Sequence, residues 1–209
     1  RYGVESFVDN GDIHILAVMQ KDMTLPPYYA ELGHAIPSGV KEELEIKVKT
    51  CVYRAICALG VNHGSVNMDL LITNGGNVHI IDIGARMGGN LIGSHIVPIG
   101  TGIDYMGNMI RAAVSDPTCC KPECQPRSVA TKLLALTPGK VKELPDFDQI
   151  SSKYDVQIEH HLHVGDAITP YRTNLDGCGY VVSCGYDVDN CIALATDVRK
   201  VIDESIIRE

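Results

Sequence analysis

No basic stripe with interleaved aromatics runs through this sequence, which speaks against a nucleic-acid surface. No apolar stretch approaches the roughly 18 residues needed to span a bilayer, and no signal peptide opens the chain. Internal repeats and low-complexity tracts are absent. The paired C-x-x-C spacing of a zinc site is also missing: Cys119-Cys120 with Cys124 is the one cysteine cluster, flanked by Pro117 and Pro122. The eight cysteines therefore read as reduced thiols of a cytoplasmic protein. What is there is a chain of 209 residues, 45 % hydrophobic, with a net charge of −8. That describes an ordinary, mildly acidic protein with enough chain for one large or two small domains. It opens on Arg1 in what reads as mid-strand, the expectation for a piece of something longer.

The richest stretch is Gly64 to Asn90, GSVNMDLLITNGGNVHIIDIGARMGGN. Ser65 to Thr73 and Val78 to Gly84 are apolar, β-branched runs, and Asn74-Gly75-Gly76-Asn77 between them is a hairpin turn signal. Centring the turn on Gly75-Gly76 sets Asp69 opposite Asp82. Opposed side chains in a hairpin lie roughly 5 Å apart at Cβ, and like charges there destabilise the sheet. A cation between them removes that penalty, and magnesium suits a pair of carboxylates that also faces phosphates. The pleat is expected to put Asn67, Leu71, Ile80 and Gly84 on that face, with Arg86 just beyond the strand end. Met87-Gly88-Gly89-Asn90 then brings backbone amides and a helix N-terminus toward anionic groups. The bland reading of the same hairpin is a solvent-facing pair of unrelated aspartates.

Elsewhere the patterns are local. Tyr2 to Val8 and Ile13 to Met19 alternate about Asp9-Asn10-Gly11-Asp12 as another hairpin. Lys21 to Pro37 shows no period and reads as a long irregular segment. Ser38 is placed to cap a helix from near Gly39, with Val40, Leu44, Val48, Val52, Ala55, Ile56 and Leu59 on one face and Gly60 as its stop. Leu91 to Val97 and Asp104 to Val114 read as helices. Ser128 to Leu136, Val156 to Val164 and Tyr180 to Cys184 read as strands, and Asp187 or Asp189 caps a last helix. The class is α+β, mostly antiparallel. The domains are drawn as 1–116 and 128–209, joined by the proline-bearing linker 117–127. Glu159, His161 and His163 share a face if Val156 to Val164 is one strand, as a metal site or, more blandly, as solvated side chains, with Val156, Ile158, Leu162 and Val164 inward.

The run Asp82-Ile83-Gly84-Ala85-Arg86-Met87-Gly88-Gly89 resembles the second metal motif of ATP-grasp enzymes, and Asp69 falls at their first metal carboxylate. Upstream, Ile15 to Val18 leading to Lys21, then Pro27-Tyr28-Tyr29-Ala30-Glu31-Leu32-Gly33-His34 and Pro37-Ser38, are similar to the carboxylate–amine ligases of that superfamily that join amino acids. The likeness covers most of Arg1 to Asp116. Beyond Ser128, with Leu136 to Val141, it is a looser likeness to their C-terminal domain.

The resemblance implies a C-terminal ATP-grasp subdomain followed by a smaller α+β domain. It implies ATP with Mg2+ (or Mn2+) as cofactors, Asp69 and Asp82 as metal ligands, and Arg86 on the transferred phosphoryl group. Lys21 would lie near the phosphates, Leu71 under the adenine and Gly88 and Gly89 beside the nucleotide. Glu31 and His34 would contact an amino-acid substrate. Many relatives carry Glu where Asp69 and Asp82 stand, and Gly84 replaces an Asn that some use as a further ligand. The family's glycine-rich phosphate loop does not occur here, so it and a substrate domain are expected on an N-terminal part of the same polypeptide. The implied partners are a small-molecule carboxylate and an amine, with a homodimer as a further possibility. The rival readings are an ATP-grasp carboxylase or carbamoyl-phosphate-type enzyme, and a non-catalytic nucleotide-binding or assembly domain.

Overall fold

A computed structural model describes all residues, Arg1–Glu209. The chain forms two compact units: Arg1–Lys21 with Ala35–Ser128, and Asp22–His34 with Val129–Glu209. The class is α+β with antiparallel strand pairing throughout the paired registers of both units.

The first unit is built on β1 (Tyr2–Asp9), β2 (Asp12–Met23), β4 (Gly64–Ile72) and β5 (Val78–Gly84), ordered β5-β4-β1-β2; β3 (Glu31–Ile36) lies between β2 and β4 in the chain. One face of these strands carries Val4, Val8, Val18, Val66, Met68 and Leu70, all buried. Against them packs α1 (Glu42–Leu59) through Val48, Val52 and Ile56, spaced four apart on one side of the helix. Leu59, expected on that face, is exposed. The helix also starts later than Ser38 suggested. Lys41 is the N-cap, and Ser38 instead accepts the Val40 N–H in the preceding turn at 3.3 Å. Gly60 closes it in the left-handed region at φ 67°, as a C-terminal glycine should.

After β5 the chain makes a π-helical turn, Ile92–Ile96, then α2 (Val97–Thr101) and α3 (Tyr105–Ala113). Asp104 caps α3 by accepting the Gly107 N–H at 2.9 Å.

The second unit contains β6 (Ser128–Leu133), β7 (Gly139–Glu143), α4 (Phe147–Tyr154), β8 (Gln157–His160), β9 (Ala167–Ile168), β10 (Gly179–Gly185), α5 (Val188–Ser205) and β11 (Ile207–Arg208). Its strands run β3-β6-β10-β8, with a small β11-β7-β9 sheet. Asp187 is the cap of α5, accepting the Asn190 N–H, and Ala195, Val198 and Ile202 bury its inner side. Two sequence expectations change here. Glu31–Ile36, read as irregular, is strand β3. Its neighbour comes so close that a Cβ on Gly33 would lie 2.1 Å from the Thr131 carbonyl oxygen, so the strand needs its glycine. The run Val156 to Val164 is not one strand either. β8 stops at His160, so His161 and His163 lie beyond it and do not share a strand face with Glu159; Val164, expected inward, is exposed, and His160 stacks on Phe147 at 3.7 Å.

Candidate functional site

The Thr73–Asn77 turn closes β4 onto β5, with Thr73 N–H donating to the Asn77 carbonyl at 3.0 Å. The register is Asn67 with Gly84, Met68 with Ile83, and Asp69 with Asp82. The two carboxylates therefore stand directly opposed. Nearer the turn the register slips by one at a β-bulge between Asp69 and Leu70, which leaves Ile81 unpaired and 53 % exposed. Ile80 consequently pairs with Leu70 and packs into the core beneath α1, not on the aspartate face as a regular pleat would have it. Leu71 does emerge on the aspartate side and is exposed.

That face is covered at one end and open at the other. At the covered end Ser65 donates to the Met109 sulfur and Tyr105 donates to Glu5, bringing α3 down onto the strands. At the open end Asp82 and Arg86 are exposed. Asp69 is not a bare carboxylate. Lys21 Nζ lies 2.6 Å from its Oδ1, with the lysine side chain only 4 % exposed. Between β2 and β4 runs β1, and the residue of β1 opposite Asp69 is Gly3. A Cβ there would lie 3.6 Å from Lys21 Cδ and 3.2 Å from Met19 Cε, so the lysine chain passes over a position that carries no side chain.

Next along the face sits a buried network. Glu5, opposite Asn67 in register, is fully buried. Its Oε1 accepts from Asn67 Nδ2 at 2.6 Å and from the Gly88 N–H at 2.9 Å, and its Oε2 accepts from the Tyr105 hydroxyl at 2.7 Å. Burial pushes the Glu5 carboxyl up to about 7, against the pull of these donors and of the Arg86 charge. Burial, then the Glu5 charge, pushes the Tyr105 phenol well above its ordinary value, so it remains a donor. The Gly88 N–H is thus committed to Glu5 and does not face outward; in the Gly-Gly pair only Gly89 is exposed. Arg86 donates one hydrogen bond to the Met87 carbonyl at 3.0 Å. Tyr105 gave no sequence signal, since a tyrosine on a helix is usually core; the Val4-Glu5-Ser6-Phe7 run, a carboxylate inside an apolar strand, was the legible hint.

In the second unit Glu31 and His34 come together, His34 Nε2 lying 3.8 Å from Glu31 Oε1. His34 is 2 % exposed and neither ring nitrogen has a hydrogen-bond partner. Glu31 is tied down by Asn174, which donates to its carboxylate at 3.0 Å and accepts its N–H at 3.0 Å, while Tyr171 donates to its carbonyl.

No group of three or more His, Cys, Asp or Glu side chains is arranged to cage a metal. The opposed Asp69 and Asp82 supply hard oxygen donors, a set that fits magnesium if phosphate oxygens and water complete the shell. No helix is long and apolar enough to cross a membrane.

Comparison with known proteins places this geometry. Residues 1–94 match the family model of the ATP-grasp domain, and residues 132–204 match that of L-amino acid ligase C-terminal domain 2. The whole chain superposes on 54 % of an L-amino acid ligase from Bacillus licheniformis with a TM-score of 0.85 at 22 % identity. It superposes entire on 52 % of a phosphoribosylglycinamide synthetase from Anaerococcus prevotii, with a TM-score of 0.82 at 23 % identity. A biotin carboxylase from Campylobacter jejuni follows at a TM-score of 0.71 and 16 % identity, with all of this chain and 46 % of that one covered. The chain thus spans about half the length of the structures it resembles, and at these identities the likeness is one of fold. No curated protein matches by sequence.

Proposed function

We propose that this chain, whose residues 1–94 match the ATP-grasp domain and residues 132–204 the L-amino acid ligase C-terminal domain 2, is part of a magnesium-dependent ligase that activates a carboxylate with ATP and joins it to an amine, with an amino acid among its substrates. The observation that carries this reading is the pair Asp69 and Asp82, opposed on an open sheet face with Arg86 beyond the strand end. The match of residues 132–204 supports the amino-acid class.

In the proposed reaction a substrate carboxylate oxygen attacks the γ-phosphorus of ATP and the bond to the β-phosphate oxygen breaks, releasing ADP. The amine nitrogen then attacks the acyl carbon, phosphate leaves, and the nitrogen gives up a proton. No nucleophilic side chain is needed; the demand is for positioning and charge compensation. Asp69 and Asp82 would hold magnesium, which when bound neutralises phosphate charge. Arg86 presents a forked, permanently charged donor set to the phosphoryl group in flight. Lys21 holds the Asp69 carboxylate in place. Leu71 offers an apolar surface on the same side as Asp69 for the adenine. Gly89 offers the close backbone approach beside the phosphates. Glu31 and His34 form the polar pair assigned to the amino-acid substrate, His34 having two ring nitrogens without partners.

The test is ADP and phosphate formation by the full-length protein with ATP, magnesium and pools of amino acids. ADP formation that requires an amino-acid pair supports the ligase. ADP formation that requires bicarbonate instead moves the reading to a carboxylase, and none under any pool favours a non-catalytic domain.

A further inference from the structure

Glu5 plays no direct part in the reaction just described, yet three donors from three separate elements converge on it. One is the Asn67 side chain on β4, one the Tyr105 hydroxyl on α3, and one the backbone of Gly88. Such convergence is not needed to close the sheet, because the β1–β4 ladder runs regularly from Tyr2 to Val8 without it. Gly88 is shaped to this arrangement: a Cβ there would fall 2.4 Å from Glu5 Oε1 and 2.8 Å from Asn67 Nδ2. That steric demand and the hydrogen bond together define one location for the chain between Arg86 and Gly89.

We propose that Glu5 is a positioning residue of this site, its buried carboxylate anchoring the Gly88 N–H so that Arg86 and Gly89 are presented beside the aspartate pair in one fixed arrangement. The inference rests on reading this face as the one that handles ATP. Arg86 itself is exposed, and the only hydrogen bond it makes within the protein is to the Met87 carbonyl, so its own side chain does little to fix it. The anchor next door does. An oxygen held by Asn67 cannot swing away from Gly88, and Tyr105 fixes the opposite oxygen, so the clamp is rigid in both directions. The groups facing Glu5 are the Tyr105 phenol and the Arg86 guanidinium; the aspartates belong to the next register row.

The test is Glu5→Gln in the full chain, read by amide hydrogen exchange over residues 86–90 and by steady-state kinetics. The amide is neutral and keeps one acceptor oxygen in place of two, so the Gly88 N–H loses a charged acceptor and Tyr105 its own, and loop protection should fall about tenfold, as for exchanging a hydrogen bond to a charged group for a neutral one. kcat should fall by a similar factor, with the KM for ATP changed far less. Gly88→Ala serves if Glu5→Gln does not fold. It leaves the carboxylate in place but pushes the loop off it, and should give the same two signatures. Wild-type exchange at residues 86–90 in either folded variant overturns the proposal. A loosened loop in a protein whose wild type shows no ATP-dependent activity sinks the ligase reading and leaves the anchor standing.

Discussion

Lys21, on β2, reaches over the side-chain-free Gly3 of β1 to Asp69 on β4, Nζ to Oδ1 2.6 Å. The cation that the opposed aspartates require is therefore in part supplied by the protein. This changes what removal of each carboxylate does.

Lys21→Met keeps the stem and removes the charge. Asp69 then faces Asp82 uncompensated, and loss of a charge-assisted hydrogen bond should cost roughly 1.5–3 kcal/mol by urea titration. Gly3→Val should act in the same direction without touching either charge, because a branched side chain lands where Lys21 Cδ and Met19 Cε now lie. Wild-type stability in both variants would mean that the ion pair contributes nothing.

Asp82 and Asp69 should separate in a stability assay while agreeing in turnover. Asp82→Asn alters an exposed side chain and should shift the unfolding free energy by no more than about 0.5 kcal/mol. Asp69→Asn strands the nearly buried Lys21 charge and should be clearly destabilising. Both should abolish ADP formation, which near-normal turnover at limiting magnesium would contradict.

Arg86→Lys retains charge and loses the fork. Because Arg86 is exposed and its one hydrogen bond within the protein is to a neighbouring carbonyl, the fold should be unaffected. kcat should drop substantially with a smaller change in the KM for ATP. Equal effects on both would assign Arg86 to ground-state binding.

The buried Glu5 makes stability depend on pH. Burial raises its carboxyl from 4.5 to about 7. The folded state thus holds the proton more tightly than the unfolded one between those values. The associated stabilisation is fully present below pH ~4.5 and is lost as pH rises through about 7, a swing on the order of 3 kcal/mol. Glu5→Gln should flatten this part of the profile, so that variant and wild type differ more at pH 8 than at pH 5. Parallel profiles would show that Glu5 does not titrate in that window.

The part of the site legible in the sequence was the part governed by short-range geometry. Gly60 and Asp104 announced helix ends for local reasons, and counting out from Gly75-Gly76 set Asp69 opposite Asp82, a pairing the structure keeps because one extra residue, Ile81, is bulged out between that pair and the turn. Counting failed nearest the turn, where Leu70, Leu71 and Ile72 pair with Ile80, His79 and Val78, each one residue off the counted partner, and Ile80 lies against the core instead of beside the aspartates. Glu31–Ile36 was hidden among prolines and a glycine because its strand character rests on its neighbours in the sheet, not on any period of its own.

The α+β class, the amphipathic helices and the hairpin that bears Asp69 and Asp82 could be read from the chain because each arises from residues within a few tens of positions of one another. That Lys21 compensates Asp69, 48 positions away, and that Gly88 hangs from Glu5, 83 positions away, emerged from the packed fold alone. Such contacts depend on which strand lies between two others and which helix folds back over them. No periodicity encodes that order, because it is set by the summed burial of many side chains at once.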